Sequence, residues 1–276
     1  MTIGVDLGGT NMRCGLVSNG QVMRKISEPC LSDRSENEVI EQLENLISQF
    51  LDPSVKGIGI GVPSVVDIQR GIVYNVNNIP SWKEVYLKDI LEKKFKLPVY
   101  INNDSNCFAL GEHHCGIGKP FCNMLGVTLG TGVGAGVIIN NELYSGSNTG
   151  AGEIGCLPYL EQNYEYYCSS NFFVKFYGIT GKEAAQLARK GDAKALQIWE
   201  EFGLHIGMLV QAILYAYDPD AIIFGGGIAS AFPFFSAKME EAMKGFDYPE
   251  TIKKIQILIS NQEDISLLGA SQLVKK

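Results

Sequence analysis

Residues 124–136, MLGVTLGTGVGAG, read as an apolar strand running into a loop too rich in glycine for ordinary packing. A similar phrase opens the chain at 2–17, TIGVDLGGTNMRCGLV, and laying residues 3–8 on residues 125–130 matches four of six positions. The element that each loop leads into decides the fold. Gly130-Thr131-Gly132-Val133-Gly134-Ala135 satisfies the dinucleotide pattern G-x-G-x-x-G/A, but that fingerprint needs a helix to begin at the turn. Here AGVIINNEL (135–143) continues as a strand to an Asn140-Asn141 turn, so the loop joins two strands of a hairpin and the nicotinamide reading fails. The Walker pattern GxxxxGK[ST] does not occur in the chain.

Periodicity extends the reading outward. Residues 2–7, 12–17 and 21–27 form a three-strand meander, with Gly8-Gly9 and Asn19-Gly20 as its turns. In SENEVIEQLENLISQFL (35–51), Val39, Ile40, Leu43, Leu46, Ile47, Phe50 and Leu51 recur at helical spacing, with Ser35 as N-cap and Glu38 closing a capping box. VKGIGIGV (55–62) and PVYINND (98–104) read as buried strands ending in polar loops. Further on come a long helix (192–217) stopping at Asp218-Pro219, the strand AIIFGGG (221–227), a helix over 231–244, the strand KIQILIS (254–260) and a last helix near 264–274. The order is that of an α/β protein. DLGGTN (6–11), LGTGVGAG (129–136) and FGGGIAS (224–230) all follow apolar strands. One such cluster is a tight turn; three, two of them copies carrying Thr10 and Thr131, point to amides and hydroxyls placed for phosphate oxygens.

The 276 residues fit one or two domains. With 46% apolar and 19% charged residues the balance is that of a soluble globule, and the net charge of −7 argues against nucleic-acid or anionic-membrane partners. Seven cysteines without a CxxC pair favour a reducing compartment, and no apolar run reaches the ~20 residues needed to span a bilayer. The chain starts on a strand with no signal segment, so the expected location is cytoplasmic.

The segments IGVDLGGTNMRCGLV, GIGIGVPS, NNIPSW, NNDSNCFALGE, LGVTLGTGVGAGVIINNELYSG, GAGEIG and IIFGGG, in this order, resemble the ROK family of sugar kinases within the actin-like ATPase superfamily. The resemblance implies an α/β fold of two RNase-H-like domains with an interdomain active-site cleft. The expected domains are a smaller one over 1–116 plus 264–276 and a larger one over 117–263. It also implies ATP and Mg²⁺ as cofactors, a small-molecule sugar as partner, and assembly as a homodimer or homotetramer.

Carried over by position, Asp104 in NNDSN matches the family's general base, a carboxylate that takes the proton of a sugar hydroxyl as it attacks the γ-phosphate. An aspartate after a strand is ordinarily an N-cap; Ser105 as the cap would leave Asp104 free. Asn78, Asn103, Glu153 and Cys156 fall at sugar-binding positions. Asp6 falls near the Mg²⁺, acting through water, since an acid in an apolar strand is costly unless paired or bound to a cation. Gly8, Gly9, Thr10, Asn11, Thr131 and Gly132 fall at the phosphates, and Gly226 and Gly227 at the adenosine. Trp82 lies in the loop the resemblance puts near the sugar, where a packed anchor is the simpler account.

The departures carry equal weight. Many members have a histidine three residues after the GAGEIG glutamate, then a CxCGxxGCxE cluster that completes a zinc site. Here that position is Cys156, and only Cys168 follows it, so no zinc is expected. Tyr159, Tyr164, Tyr166, Tyr167, Phe172 and Phe173 are expected to stiffen the segment instead. The counterpart of the glutamate ending that cluster stands open among Glu161, Glu165 and Ser169. His113, His114 and His205 have no carboxylate or cysteine at ligand spacing and read as surface or core. The expected function is ATP-dependent phosphorylation of a free hexose, glucose by default. The alternative is a sugar or nucleotide sensor or regulator of the same family that has lost catalysis. Family repressors carry an added helix-turn-helix, for which a chain starting on the phosphate motif leaves no room.

Overall fold

The computed structural model describes residues 1–76, 78–147 and 149–274; Asn77 of NNIPSW and the last two residues of the expected first domain lie outside the described residues. The chain divides into two compact units, 1–120 with 136–151 and 262–276, and 121–135 with 152–261.

The first unit opens with β1 (Thr2–Leu7), β2 (Asn11–Ser18) and β3 (Gln21–Pro29), then α1 (Glu36–Ser48) and β4 (Ile58–Val62). Three short strands come next, β5 (Val65–Asp67), β6 (Ile72–Tyr74) and β7 (Glu84–Val85), then α2 (Leu87–Phe95), β8 (Val99–Asn103) and α3 (Asp104–His114). β9 (Met124–Leu129), β10 (Val133–Ile139) and β11 (Glu142–Leu143) lead to the 3-10 helix Ile154–Cys156, β12 (Pro158–Tyr159) and β13 (Gln162–Asn163). The second unit continues through α4 (Tyr164–Cys168), α5 (Ser170–Tyr177), α6 (Gly181–Arg189), α7 (Ala193–Tyr217), β14 (Ala221–Gly225), α8 (Phe232–Met243), α9 (Pro249–Lys254) and β15 (Gln256–Ile259). α10 (Ile265–Gln272) belongs to the first unit.

The two large sheets have the same plan. One runs β3-β2-β1-β4-β8, with an antiparallel meander on one side of β1 and parallel strands on the other. The other runs β11-β10-β9-β14-β15, with β14 parallel to both β9 and β15. The repeated phrase therefore occupies the middle strand of each sheet, β1 and β9, and each copy of the glycine loop comes directly after that strand.

α1 is built as its sequence requires. Ser35 and Glu38 form both halves of a capping box, and Val39, Ile40, Leu43, Leu46 and Ile47 are buried with Ile3, Val5, Ile58 and Ile60 of the sheet. α10 lies against the sheet and α3 through glycine. A Cβ on Gly59 would stand 1.8 Å from the Ala270 carbonyl oxygen, and one on Gly269 1.6 Å from that of Cys107.

The division differs from the expected one in residues 136–151, which join the first unit and make it the larger of the two. Close packing and two hydrogen bonds hold the segment there: the Gly136 backbone lies against Ser105 and Ala109, His113 Nε2 meets Asn141 Oδ1 at 3.3 Å, and the Thr149 hydroxyl donates to the Val66 carbonyl.

Candidate active site

In the first unit the chemistry gathers at the ends of β1 and β8. Asn103 is the N-cap of α3, its Oδ1 accepting from Ser105 N at 2.9 Å and Asn106 N at 3.4 Å. Ser105 is thus not the cap; the side chain one residue before the aspartate does that work, its one oxygen reaching two amides of the first turn. Asn103 also donates from Nδ2 to the Ser64 carbonyl at 3.3 Å.

Asp104 is the first residue of the helix, and its Oδ1 accepts from Ser105 N at 2.8 Å. Burial pushes its carboxyl up to about 6, and the like charge of Asp6 adds to the rise. These effects outweigh the donors of the helix N-terminus. A carboxylate titrating near there is matched to proton transfer close to neutral pH.

Asp6 has the partner that burial demands. Arg13 stands opposite it in the β1–β2 register and donates from Nη2 to Asp6 Oδ2. Sequence reading missed Arg13: a turn centred on Gly8-Gly9 sets residue 6 against residue 11, whereas the hairpin turns at Gly9-Thr10 and sets it against residue 13. Mg²⁺ takes one or two carboxylates and fills its octahedron with water and substrate phosphates. Asp6 and Asp104, close enough to feel each other's charge, suit that mode. Among the described residues no three of His, Cys, Asp and Glu converge as a metal cage.

Each glycine loop is closed by a backbone bond, Gly8 N to Asn11 O at 2.9 Å and Gly130 N to Gly132 O at 3.0 Å. Among the described residues the N–H groups of Gly9 and Thr10, and those of Thr131 and Gly132, meet no acceptor. Asn78, exposed, packs its side chain against Gly9, where a Cβ would stand 2.2 Å from that of Asn78. Trp82 is wholly buried and ties its loop through backbone bonds to Val76 and Ile79.

In the second unit, Gly226 comes after β14 with φ of 86°, and a Cβ there would meet the Leu129 carbonyl oxygen at 2.4 Å. Both facts demand glycine. Gly227 has open space around it, and its carbonyl accepts from Ser230 Oγ at 2.8 Å. Glu153 and Cys156 are both exposed, and the thiol donates to Glu153 Oε2 at 3.7 Å. Partial desolvation of the thiol raises the Cys156 pKa, and the charges of Glu153 and Glu165 add to it. Of the three open candidates, Glu161 is exposed, Ser169 caps α5, and Glu165 stands with the Glu153–Cys156 pair.

The aromatic segment is anchored around His205. Tyr159 stacks on Tyr164 at 4.3 Å and its hydroxyl meets His205 Nδ1 at 3.0 Å, while Tyr167 and Phe172 lie against the same imidazole. Cys168 is buried and all seven cysteines are free. His205 and His113 are buried and His114 is exposed.

The ROK family model matches residues 2–276. The chain belongs to the ROK family. Among ROK relatives, a glucokinase of Thermotoga maritima is 30% identical, the match covering 99% of this chain and 97% of that protein. A ROK family glucokinase from Streptomyces griseus, solved with glucose and AMPPNP, superposes with a TM-score of 0.84 at 26% identity, covering 99% of this chain and 98% of that one. A xylose repressor of Bacillus spizizenii is also 30% identical, over 79% of this chain and 60% of its own length. The fold is the α/β, actin-like ATPase fold of ROK proteins. No helix among the described residues is long and apolar enough to cross a membrane.

Proposed function

We propose that the chain is an ATP-dependent sugar kinase that transfers the γ-phosphoryl group of ATP to a hydroxyl of a free hexose, glucose by default. The observation that carries this reading is Asp104, a carboxylate at the head of α3 whose pKa is raised to about 6 beside Asp6. Asp104 accepts the hydroxyl proton as the sugar oxygen bonds to the γ-phosphorus and the bond to the ADP oxygen breaks; the proton ends on Asp104. The open amides of Gly9 and Thr10, in the loop that Gly8 and Asn11 close, and those of Thr131 and Gly132 hold the phosphates, and Gly226 and Gly227 receive the adenosine. Asp6 would hold Mg²⁺ through water, and the ion would offset phosphate charge. Asn78, Glu153 and Cys156 orient the sugar, and Asn103 does so through Nδ2, its Oδ1 being spent on the helix. The similarity to glucokinases supports the substrate class, and seven free thiols suit a reducing cytoplasm.

Cys156, standing where many members have histidine, favours as a second reading a sugar-binding sensor, and the similarity to a xylose repressor is in keeping with it. ADP release measured with ATP, Mg²⁺ and a panel of free sugars separates the two. A sugar that stimulates release in the wild type and not in Asp104→Asn establishes the kinase. A panel in which none does overturns it in favour of the sensor.

A further inference from the structure

The second glycine loop is gripped from one side by a single stretch of chain. Glu165 Oε2 accepts from Val133 N at 3.1 Å, Ser170 N donates to the Gly130 carbonyl at 2.8 Å, and Ser170 Oγ reaches the Thr131 carbonyl at 3.5 Å. The Glu165 carboxylate lies directly over Gly132, where a Cβ would come within 2.4 Å of Oε2. A carboxylate against a loop read as a phosphate cradle is at first sight repulsive. It takes the one amide next in line after the two open ones, at Thr131 and Gly132, and so leaves those two for a ligand while fixing the strand behind them.

The carboxylate is itself held. α4 carries Glu165 between Tyr164 and Tyr166; Tyr164 stacks on Tyr159 at 4.3 Å and donates its hydroxyl to the Met208 carbonyl at 3.2 Å, and Asn163 caps the helix through Tyr166 N at 3.0 Å. α4 packs on α7 and on the 3-10 helix that carries Cys156. We propose that Glu165 is a positioning residue, a strut that sets the Gly130–Val133 loop in its phosphate-binding shape by accepting the Val133 amide. This rests on the kinase reading for what the loop binds. The His205–tyrosine cluster serves the strut by fixing α4.

Two measurements test it, hydrogen–deuterium exchange of the 129–136 peptide and the affinity for AMPPNP with Mg²⁺, in Glu165→Ala and Glu165→Gln. Gln keeps an oxygen for Val133 N; Ala does not. Exchange is expected to quicken locally in Ala and stay near wild type in Gln, with AMPPNP bound about tenfold more weakly by Ala and within about twofold of wild type by Gln. Unchanged exchange in Glu165→Ala, or quickened exchange with unchanged affinity, overturns the inference and leaves the kinase reading standing. A wild type that binds no AMPPNP removes that reading and this inference with it. Should Glu165→Ala fail to fold, Gly132→Ala carries the same exchange test, since its new methyl pushes the flexible carboxylate off Val133 N.

Discussion

Asp104 shows at the scale of one residue how a site is made from opposing demands. The base role proposed for it needs the ionised form, so kcat/KM is expected to fall about tenfold per pH unit below a pH near 6, a limb read from initial rates. Asp104→Asn is expected to lower turnover by several orders of magnitude while nucleotide and sugar affinities change little, as single-turnover and binding measurements would report. The same raised pKa makes the residue a liability to the fold. The unfolded chain ionises Asp104 more readily than the folded one, so its neutral form is favoured below pH 4 and stability is lost as pH rises toward 6. Asn in its place is then expected to raise stability by about 3 kcal/mol at pH 8 and by nearly nothing at pH 3.5, read from urea unfolding. The residue's place at a strand-to-helix junction was legible because the NNDSN signature is local. Its cap was not, since Asn103 and Ser105 both have suitable oxygens and only the turn geometry chooses between them. Asp6 announced its need for a partner by lying in an apolar strand, but Arg13 becomes visible only once the hairpin register is drawn.

At the scale of elements, legibility depends on how far apart the deciding contacts lie. α1 was readable to its cap because the capping box closes within four residues, and Ser35→Ala is expected to cost about 1 kcal/mol of stability by chemical denaturation. Leu43, wholly buried on the same helix, is expected to cost about 2–5 kcal/mol when cut to alanine. β5, β6 and β7 escaped notice because two or three residues carry no period. α2 escaped because it ends at Lys96 in the left-handed region rather than at the glycine that usually marks such a stop. The five residues of α4 are helical because Tyr159, His205 and α7 hold them, and none of those contacts is local.

At the scale of the molecule, the repeated phrase was a sound guide: both copies lie on the middle strand of sheets with one strand order. The boundary was harder to read, because residues 136–151 are claimed by contacts with His113 and its helix α3 and with Val66 that leave no compositional mark. The glycine contacts of α10 give a test of how tightly the last helix seats. Gly59→Ala drives a methyl into the Ala270 backbone carbonyl, and a loss of about 3 kcal/mol or more is expected by urea unfolding, with protease cleavage near 262 appearing in the same variant.

The seating of α10 also orders events at the ribosome. The first unit cannot complete its core until residues beyond 261 have emerged, so the whole of the second unit is synthesised while the faces of β1 and β4 wait uncovered. Nascent chains stalled before that point should therefore draw chaperones through the opening segment, and release them once the final helix clears the exit tunnel.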